Sequence, residues 1–441
     1  MTYRPPQDLS RPRLAPDLLR AADRFFGAPL CALVTFVRKI GACLRLSALP
    51  RATSPSPERA RVLIVQLAEA GSMVLADPAI RYLKESGCEV FCLTLDRNRD
   101  SLAIAGSIPE HRILTLRSTP GGFLVDALRA RLRIRAAGIT AIADFELFTR
   151  VSALIAWWSG VAQRAGFHSE NGEGLYRGDL FTRPVRFIAD RHMAENYLAV
   201  ARALPANPHK HVPAGTSSLT IARRQISDAA HMRMRQRIAL ALPQHTFDAP
   251  LLLVNANAST LLPQRRWPEE RFVALIVRLL ALEPRLGVLL IGGADDAPSS
   301  ARLCTTVAHP RCASLAGQVS MADLPALFAQ ATVMVSNDSG PAHFAAVTPL
   351  PVVTLFGPET PTLFRPLGNA VVLTANLPCS PCVSANNQRR TDCRDNLCMQ
   401  AIAVETVLEA TLAVLRPARP SRAPATRALT TPTSSECEVN A

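Results

Sequence analysis

Aromatic side chains are scarce in this chain, 3 Trp, 4 Tyr and 16 Phe making up 5% of 441 residues. There is no RNA-binding sheet signature, no two-Cys two-His zinc finger and no leucine zipper, so nucleic acid is not expected as a partner even at a formal charge of +14. Long apolar runs are also missing. No segment reaches the roughly 20 continuous apolar residues of a membrane-spanning helix. The nearest is Phe25 to Val37, uncharged, containing Pro29, and bracketed by Arg20 and Arg24 before it and Arg38 and Lys39 after it. It begins well inside the chain and lacks a small-residue cleavage site, so it is not read as a signal peptide. Two readings fit it: an amphipathic helix lying in an anionic membrane surface, or a helix packed on the protein body.

What is present is enough apolar material, 48% of residues, for two ordinary domains. The pattern is α/β throughout. After a Pro- and Ser-rich stretch at Thr53 to Pro57, strands are expected at Arg61 to Leu67, Cys88 to Leu95, Arg112 to Leu116 and Ile139 to Phe145. Helices are expected at Met73 to Glu85, Phe123 to Ala136 and Val151 to Gly160. A Pro- and His-rich break at Pro205 to Gly215 and a helix at Ala222 to Leu240 lead into a second round of alternation. Its strands are Leu251 to Asn255, Gly287 to Ile291, Ala331 to Val335 and Pro351 to Phe356, and its helices Glu269 to Leu282, Ser299 to Val307 and Met321 to Ala329. The expected organisation is a basic N-terminal segment and linker at 1–57, an α/β unit at 58–204, a connection at 205–249, a second α/β unit at 250–415 and a disordered tail at 416–441.

Two such units imply a cleft lined by loops at the carboxyl ends of strands. Three loops qualify. Ala68-Glu69-Ala70-Gly71-Ser72 leaves the first strand; Asn255-Ala256-Asn257-Ala258-Ser259 is followed shortly by Gln264-Arg265-Arg266-Trp267-Pro268; and Ser336-Asn337-Asp338-Ser339-Gly340-Pro341-Ala342-His343 joins an apolar strand to a helix start. The third loop admits two readings. Free N–H groups at a helix N-terminus, with Gly340 leaving room for close approach, suit a phosphate; alternatively Asp338 or Ser339 caps the helix. Arg265 or Arg266 has the guanidinium geometry for a bidentate phosphate contact, though surface arginines before a helix are commoner.

Taken together, these segments resemble glycosyltransferase family 9, the heptosyltransferases of lipopolysaccharide synthesis. Arg265-Arg266-Trp267-Pro268 is similar to that family's Lys-Arg-Trp-Pro segment, and Asp338-Ser339-Gly340-Pro341-Ala342-His343 to its Asp-Thr-Gly-x-x-His motif. Pro351 to Pro358 resembles the strand and turn that follow. Weaker similarity at Arg61 to Lys84, Asp144-Phe145-Glu146 and Arg164 to Phe167 extends the match over Arg61 to Leu415. The resemblance implies a GT-B architecture, two Rossmann-like domains facing a central cleft. It also implies inverting, metal-independent transfer of a sugar, with heptose the candidate, from a nucleotide-diphosphate donor such as ADP-heptose to a lipid-linked, lipopolysaccharide-like acceptor. The place implied is the cytoplasmic side of the inner membrane, as a peripheral protein against its anionic surface. By position, Ser339, Gly340 and His343 fall near the diphosphate, Asp338 at sugar hydroxyls, Arg265 where the family has its phosphate lysine, and Gly292, Gly293 and Asp295-Asp296 near the nucleoside. No Asp-x-Asp motif occurs, consistent with a reaction that requires no metal cofactor and leaves charge to Arg265 and the helix N-terminus.

One loop departs from the family. Where its members place Gly-Asp, the Asp being the proposed base, this chain has Gly71-Ser72, and serine has no suitable pKa for that role. Glu69 can supply the carboxylate if its side chain turns into the cleft; if it faces solvent, the protein transfers slowly, uses another base or is inactive. A non-catalytic donor-binding or scaffold protein that lost the base is a second reading. A hydrolysing epimerase on the same architecture is a third reading. Cys379, Cys382, Cys393 and Cys398 have spacings that suit a zinc or iron–sulfur centre, two disulfides or free thiols. Similar Cys-Ser-Pro-Cys segments in the family imply a structural staple, with structural zinc as the candidate metal.

Overall fold

The computed structural model describes residues 23–43, 60–67, 71–168, 176–204, 219–259, 262–385, 387 and 389–416. Glu69, the stretch from Thr53 to Pro57, the break at Pro205 to Gly215 and the tail beyond 416 lie outside the described residues.

The chain first forms helix α1 (Ala28–Cys43), entered through a wide helical turn at Asp23–Gly27. A six-stranded sheet follows, built from β1 (Arg61–Val65), β2 (Glu89–Leu95), β3 (Ile113–Leu116), β4 (Ala141–Asp144), β5 (Gln163–His168) and β6 (Arg183–Arg186). Helices α2 (Ser72–Leu75), α3 (Asp77–Glu85), α4 (Arg99–Ala105), α5 (Pro120–Ala136), α6 (Arg150–Trp158) and α7 (Met193–Arg202) connect and flank it. After α8 (Asp228–Ala241), a second sheet uses β7 (Leu251–Asn255), β8 (Gly287–Leu290), β9 (Cys312–Ser314), β10 (Val333–Asn337), β11 (Val352–Phe356) and β12 (Ala370–Thr374). Its helices are α9 (Glu269–Leu282), α10 (Ala297–Val307), α11 (Leu324–Phe328), α12 (Gly340–Phe344), α13 (Pro361–Phe364), α14 (Leu397–Gln400) and α15 (Val404–Leu415).

The strand orders are β3-β2-β1-β4-β5-β6 and β12-β11-β10-β7-β8-β9, every pairing parallel. Both are the doubly wound Rossmann order, so the GT-B expectation holds. In each sheet the order reverses at one pair, β1 with β4 and β7 with β10, and ligands of such sheets bind outside the carboxyl ends at that switch point.

Strand residues alternate between faces, and the alternation sorts the core. Val62 and Ile64 point into the same apolar cluster as Leu251 and Leu253 of the other sheet, a cluster that runs through Met73, Phe145, Phe344 and Phe356. Leu63 and Val65 point the other way, into an outer layer with α1, α5 and α6. Leu252 and Val254 likewise face a separate layer with Trp267 and Phe272. The cleft-side faces of the two sheets thus belong to one continuous core.

Several expected elements differ from those observed. The helix expected over Met73 to Glu85 is two, α2 and α3, because Pro78 sits in the first turn of α3 and cannot continue a preceding helix. Helix α8 begins at Asp228 behind the Ser227 cap rather than at Ala222. The strand expected from Ala331 shifts to end on Asn337, which places the polar residues Ser336 and Asn337 inside β10.

Candidate functional site

The second sheet's switch point is held by amide side chains. At the end of β7, Asn255 Nδ2 donates to Ser336 Oγ (3.0 Å) and Ser339 Oγ (2.6 Å). At the end of β10, Asn337 Nδ2 donates to the Ala256 carbonyl at 2.9 Å, and its Oδ1 accepts from Trp267 N–H at 3.1 Å. Asn337 is fully buried, so each bond satisfies a group that has no water to turn to. Trp267 Nε1 then donates to the Ile402 carbonyl at 3.0 Å, anchoring the loop to the chain between α14 and α15. This is the physical link between the two loops that sequence order alone associates: Asn337, one residue before Asp338, fastens the Arg265-Arg266-Trp267 segment beside it.

Charged groups converge on the same place. Arg265 lies in a 3₁₀ turn at Pro263–Arg265. Its Nε is 3.3 Å from Asp338 Oδ2 and its Nη2 3.5 Å from Glu359 Oε2. Arg389 Nε stands 3.3 Å from the same Glu359 oxygen, and His343 Nε2 3.9 Å from Asp338 Oδ1. Arg265 Nε and Glu359 Oε2 face their partners at ion-pair distance without hydrogen-bond alignment. Burial pushes the Glu359 carboxyl up to about 7, against the pull of Arg389 and Arg265 and with a smaller push from Asp338. Two arginines and a histidine therefore share two carboxylates, one of them half neutral near pH 7. That arrangement can pass its guanidinium contacts to an incoming diphosphate.

Ser339, Gly340 and His343 lie where the motif predicts, but α12 is only five residues long and is continued by a 3₁₀ turn at Ala345–Val347. Its N-terminal field is correspondingly small, and positive charge at the site rests on the arginines. Asp295 is exposed beyond β8, in a 3₁₀ turn whose cap is its neighbour: Asp296 Oδ2 accepts from Gly293 N–H at 2.9 Å. Gly292 is required there, since a Cβ would come within 2.8 Å of Asn257 Nδ2 and 2.7 Å of Asp296 Cβ. Glu359 and Arg389 were not anticipated. Glu359 could have been found from its place just past β11, next to β10; Arg389, inside the cysteine-rich loop, carries no local signal.

The first sheet's switch point faces this cluster. Gly71 is in contact with the loop that follows β10: a Cβ on it would lie 3.1 Å from His343 Cδ2 and 3.5 Å from Gly340 Cα. Ser72, buried, opens α2 directly behind it. The structure thus brings Gly71-Ser72 and Gly340 to His343 together across the cleft. Leu67, where the chain enters the loop containing Glu69, is fixed on both sides: its N–H donates to the buried Glu146 carboxylate, and its carbonyl accepts from Asn98 Nδ2 at 2.7 Å. Glu146 also accepts from Thr149 Oγ1 at 3.0 Å. Beside it, Asp144 pairs with Arg177 at 2.5 Å, both fully buried; burial pushes the Asp144 carboxyl up, with Arg177 opposing.

The four C-terminal cysteines carry free thiols. Cys398 is buried, Cys382 and Cys393 half-buried and Cys379 exposed. The Cys398 thiol is pushed up first by burial and then by the charges of Cys382, Cys393 and Cys379. Four sulfur donors suit zinc chemically, yet among the described residues no three His, Cys, Asp or Glu side chains converge closely enough to hold an ion. No step below is routed through a metal.

Residues 148–391 match the model of glycosyltransferase family 9 (heptosyltransferase). The chain is 30% identical over 114 residues to lipooligosaccharide heptosyltransferase 2 of Haemophilus influenzae, an alignment covering 25% of this chain and 32% of that protein. It is 26% identical over 322 residues to lipooligosaccharide heptosyltransferase 2 of Haemophilus ducreyi, covering 71% and 88%. Among solved structures, that of Escherichia coli ADP-heptose lps heptosyltransferase II superposes with a TM-score of 0.61 at 19% identity, over 80% of this chain and 98% of that one. This shows the two-domain GT-B fold.

Proposed function

This chain belongs to glycosyltransferase family 9, and on that premise we propose that it transfers a heptose-type sugar from a nucleotide-diphosphate donor, ADP-heptose being the candidate, to a lipid-linked, lipopolysaccharide-like acceptor. The observation that carries the reading is the pairing of the two switch points: the Arg265 loop fastened beside Asp338 by Asn337, with Gly71-Ser72 against His343. In this reading Arg265, joined by Arg389, receives the donor diphosphate when it displaces the Glu359 contacts. Asp338 turns to sugar hydroxyls, a role that suits a carboxylate better than a place beside phosphate, and His343 and Ser339 line the same pocket.

The acceptor hydroxyl attacks the anomeric carbon from the face opposite the diphosphate. The new C–O bond forms as the bond to the leaving phosphate breaks, which inverts the centre; the hydroxyl proton passes to a base. Glu69 is the base in this account. Leu67, held by Glu146 and Asn98, sets the start of its loop. No metal is required, because the guanidinium groups offset the developing diphosphate charge. The protein works at the cytoplasmic face of the inner membrane, where a lipid-linked acceptor would be presented. A structural zinc on Cys379, Cys382, Cys393 and Cys398 is a separate proposal, tested by metal content of the purified protein: stoichiometric zinc supports it, and a metal-free folded sample removes it.

Ser72 favours a second reading, a protein that binds the donor and does not transfer it. Assay with ADP-heptose and a heptose-accepting lipopolysaccharide core separates the two. Glycosylated acceptor supports transfer; donor binding without product supports the second reading; nucleotide release without acceptor points to hydrolysis.

A further inference from the structure

Helix α1 sits on the protein with its polar and small side inward. Asp23, buried, caps α6 by accepting from the N–H groups of Arg150 and Val151 at 3.0 Å each, and pairs with the Arg150 guanidinium at 3.3 Å. Further along, Cys31 and Thr35 are buried against Gly178, where a Cβ would come within 2.5 Å of Thr35 Oγ1 and 2.8 Å of the Cys31 carbonyl. Thr35 Oγ1 accepts from Asp179 N–H at 2.9 Å, and Arg38 pairs with the Asp179 carboxylate. The side turned outward is apolar: Phe25 (72% exposed), Phe26 (74%), Leu33, Phe36 (62%) and Val37. A helix in water normally buries the apolar side.

Helix α5 repeats the arrangement. Asp126, Ala130 and Ile134 face inward, while Leu124 (62% exposed), Leu128 and Leu132 (68%), one helical turn apart, face outward. Trp158, at the end of α6, is partly exposed beside them, with Arg131 stacked 5.3 Å from its ring centroid. All three helices pack on one side of the first sheet, in the same outer layer, and α6 touches both of the others. The surrounding charge is predominantly positive, the exposed Asp179 carboxylate being paired with Arg38. Arg129, Arg131, Arg133 and Arg135 lie on α5 and Arg38 and Lys39 on α1, whereas α1 contains no acidic residue and the only one on α5, Asp126, is buried and paired with Arg117. No helix among the described residues is long and apolar enough to cross a membrane.

We propose that this outer face of the first sheet, α1 together with the Leu124-Leu128-Leu132 stripe of α5 and Trp158, docks in the plane of a bilayer rich in anionic phospholipid. Apolar side chains enter the acyl boundary and the arginines and Lys39 meet the headgroups. The inference shares with the proposed function only its membrane location, and it puts the bilayer on the sheet that bears the acceptor-side switch point.

Flotation of the full chain with phosphatidylglycerol–phosphatidylcholine vesicles tests it. The expected result is binding that falls at least about tenfold on pure phosphatidylcholine or in high salt. A similar loss is expected in Leu124→Ser/Leu128→Ser/Leu132→Ser and in Phe25→Ser/Phe36→Ser. Arg129→Glu/Arg135→Glu, which leaves the apolar stripe intact, should lose binding to the anionic vesicles only. Donor affinity, read by thermal shift with ADP-heptose, should stay unchanged in all three variants, so a failure of vesicle binding and a failure of donor binding are told apart. Variants that float like the parent chain, or a parent chain that ignores anionic vesicles, would overturn the proposal. So would light scattering that shows a dimer made monomeric by the serine variants, since the face would then cover a second copy.

Discussion

The two switch points that face each other across the cleft are built differently. On the second sheet, Asn255 and Asn337 tie three segments of chain into one buried network, and the charged groups of Arg265, Asp338, Glu359 and Arg389 stand on it. On the first sheet, Leu67 is held by Glu146 and Asn98, and Gly71 lies against His343. The second sheet's switch point is thus preassembled. The first sheet's side carries Gly71-Ser72 where the family has its Gly-Asp, and the carboxylate proposed as the base is that of Glu69. Under the proposed transfer, the second sheet would bind the donor through geometry already in place and the first loop would supply the base.

The largest expected effect probes that division. Glu69→Gln should lower turnover by about 10²–10⁴-fold, the usual worth of a general base, and leave ADP-heptose affinity unchanged in a binding titration; unaltered turnover removes Glu69 from the mechanism. Restoring the family's carboxylate with Ser72→Asp in the Glu69→Gln background should recover part of the lost rate. On the donor side, Asn337→Ala leaves the Trp267 N–H and the Ala256 carbonyl without their partner in a buried place. It should cost about 3 kcal/mol of stability in urea unfolding, and donor binding should weaken with it. Arg265→Ala should weaken ADP-heptose binding about thirtyfold, the loss of charged hydrogen bonds worth about 2 kcal/mol, and should lower the urea midpoint as well, because it leaves the buried Asp338 and Glu359 carboxylates short of a cation.

The smallest effect is a pH dependence. Protonating Glu359, whose carboxyl lies at about 7, removes a negative charge from beside Arg265 and Arg389. Donor affinity should therefore rise several-fold as pH falls from about 8 to about 6, by at most tenfold per unit, and Glu359→Gln should flatten the profile.

Much of this was legible in the sequence. Strand β7 and helix α9 occur at the residues the apolar pattern marks, because each is a long, strongly patterned segment bounded by polar turns. The short edge strands β9 and β12 were not legible: three residues in one and five in the other, none of them fully buried, carry no strong alternation. Arg265 and the Asp338 to His343 loop were legible through their order, and the structure supplies the reason, the Asn337 side chain between them. Glu359 and Arg389 were not, since their meeting depends on the path of the cysteine-rich loop rather than on local pattern. The Phe25 to Val37 segment was recognisable as amphipathic in character. Which side it buries became visible only once Asp23, Cys31 and Thr35 were seen to face the body.

The account rests most heavily on Arg265 as the donor's phosphate contact, and calorimetric titration of ADP-heptose into the parent chain and into Arg265→Ala tests it directly. The expected result is saturable one-to-one binding by the parent and a dissociation constant about thirtyfold higher in a variant shown to be folded at the temperature of the titration. Equal affinity in the two proteins, or no binding of ADP-heptose by a folded parent chain, would contradict it.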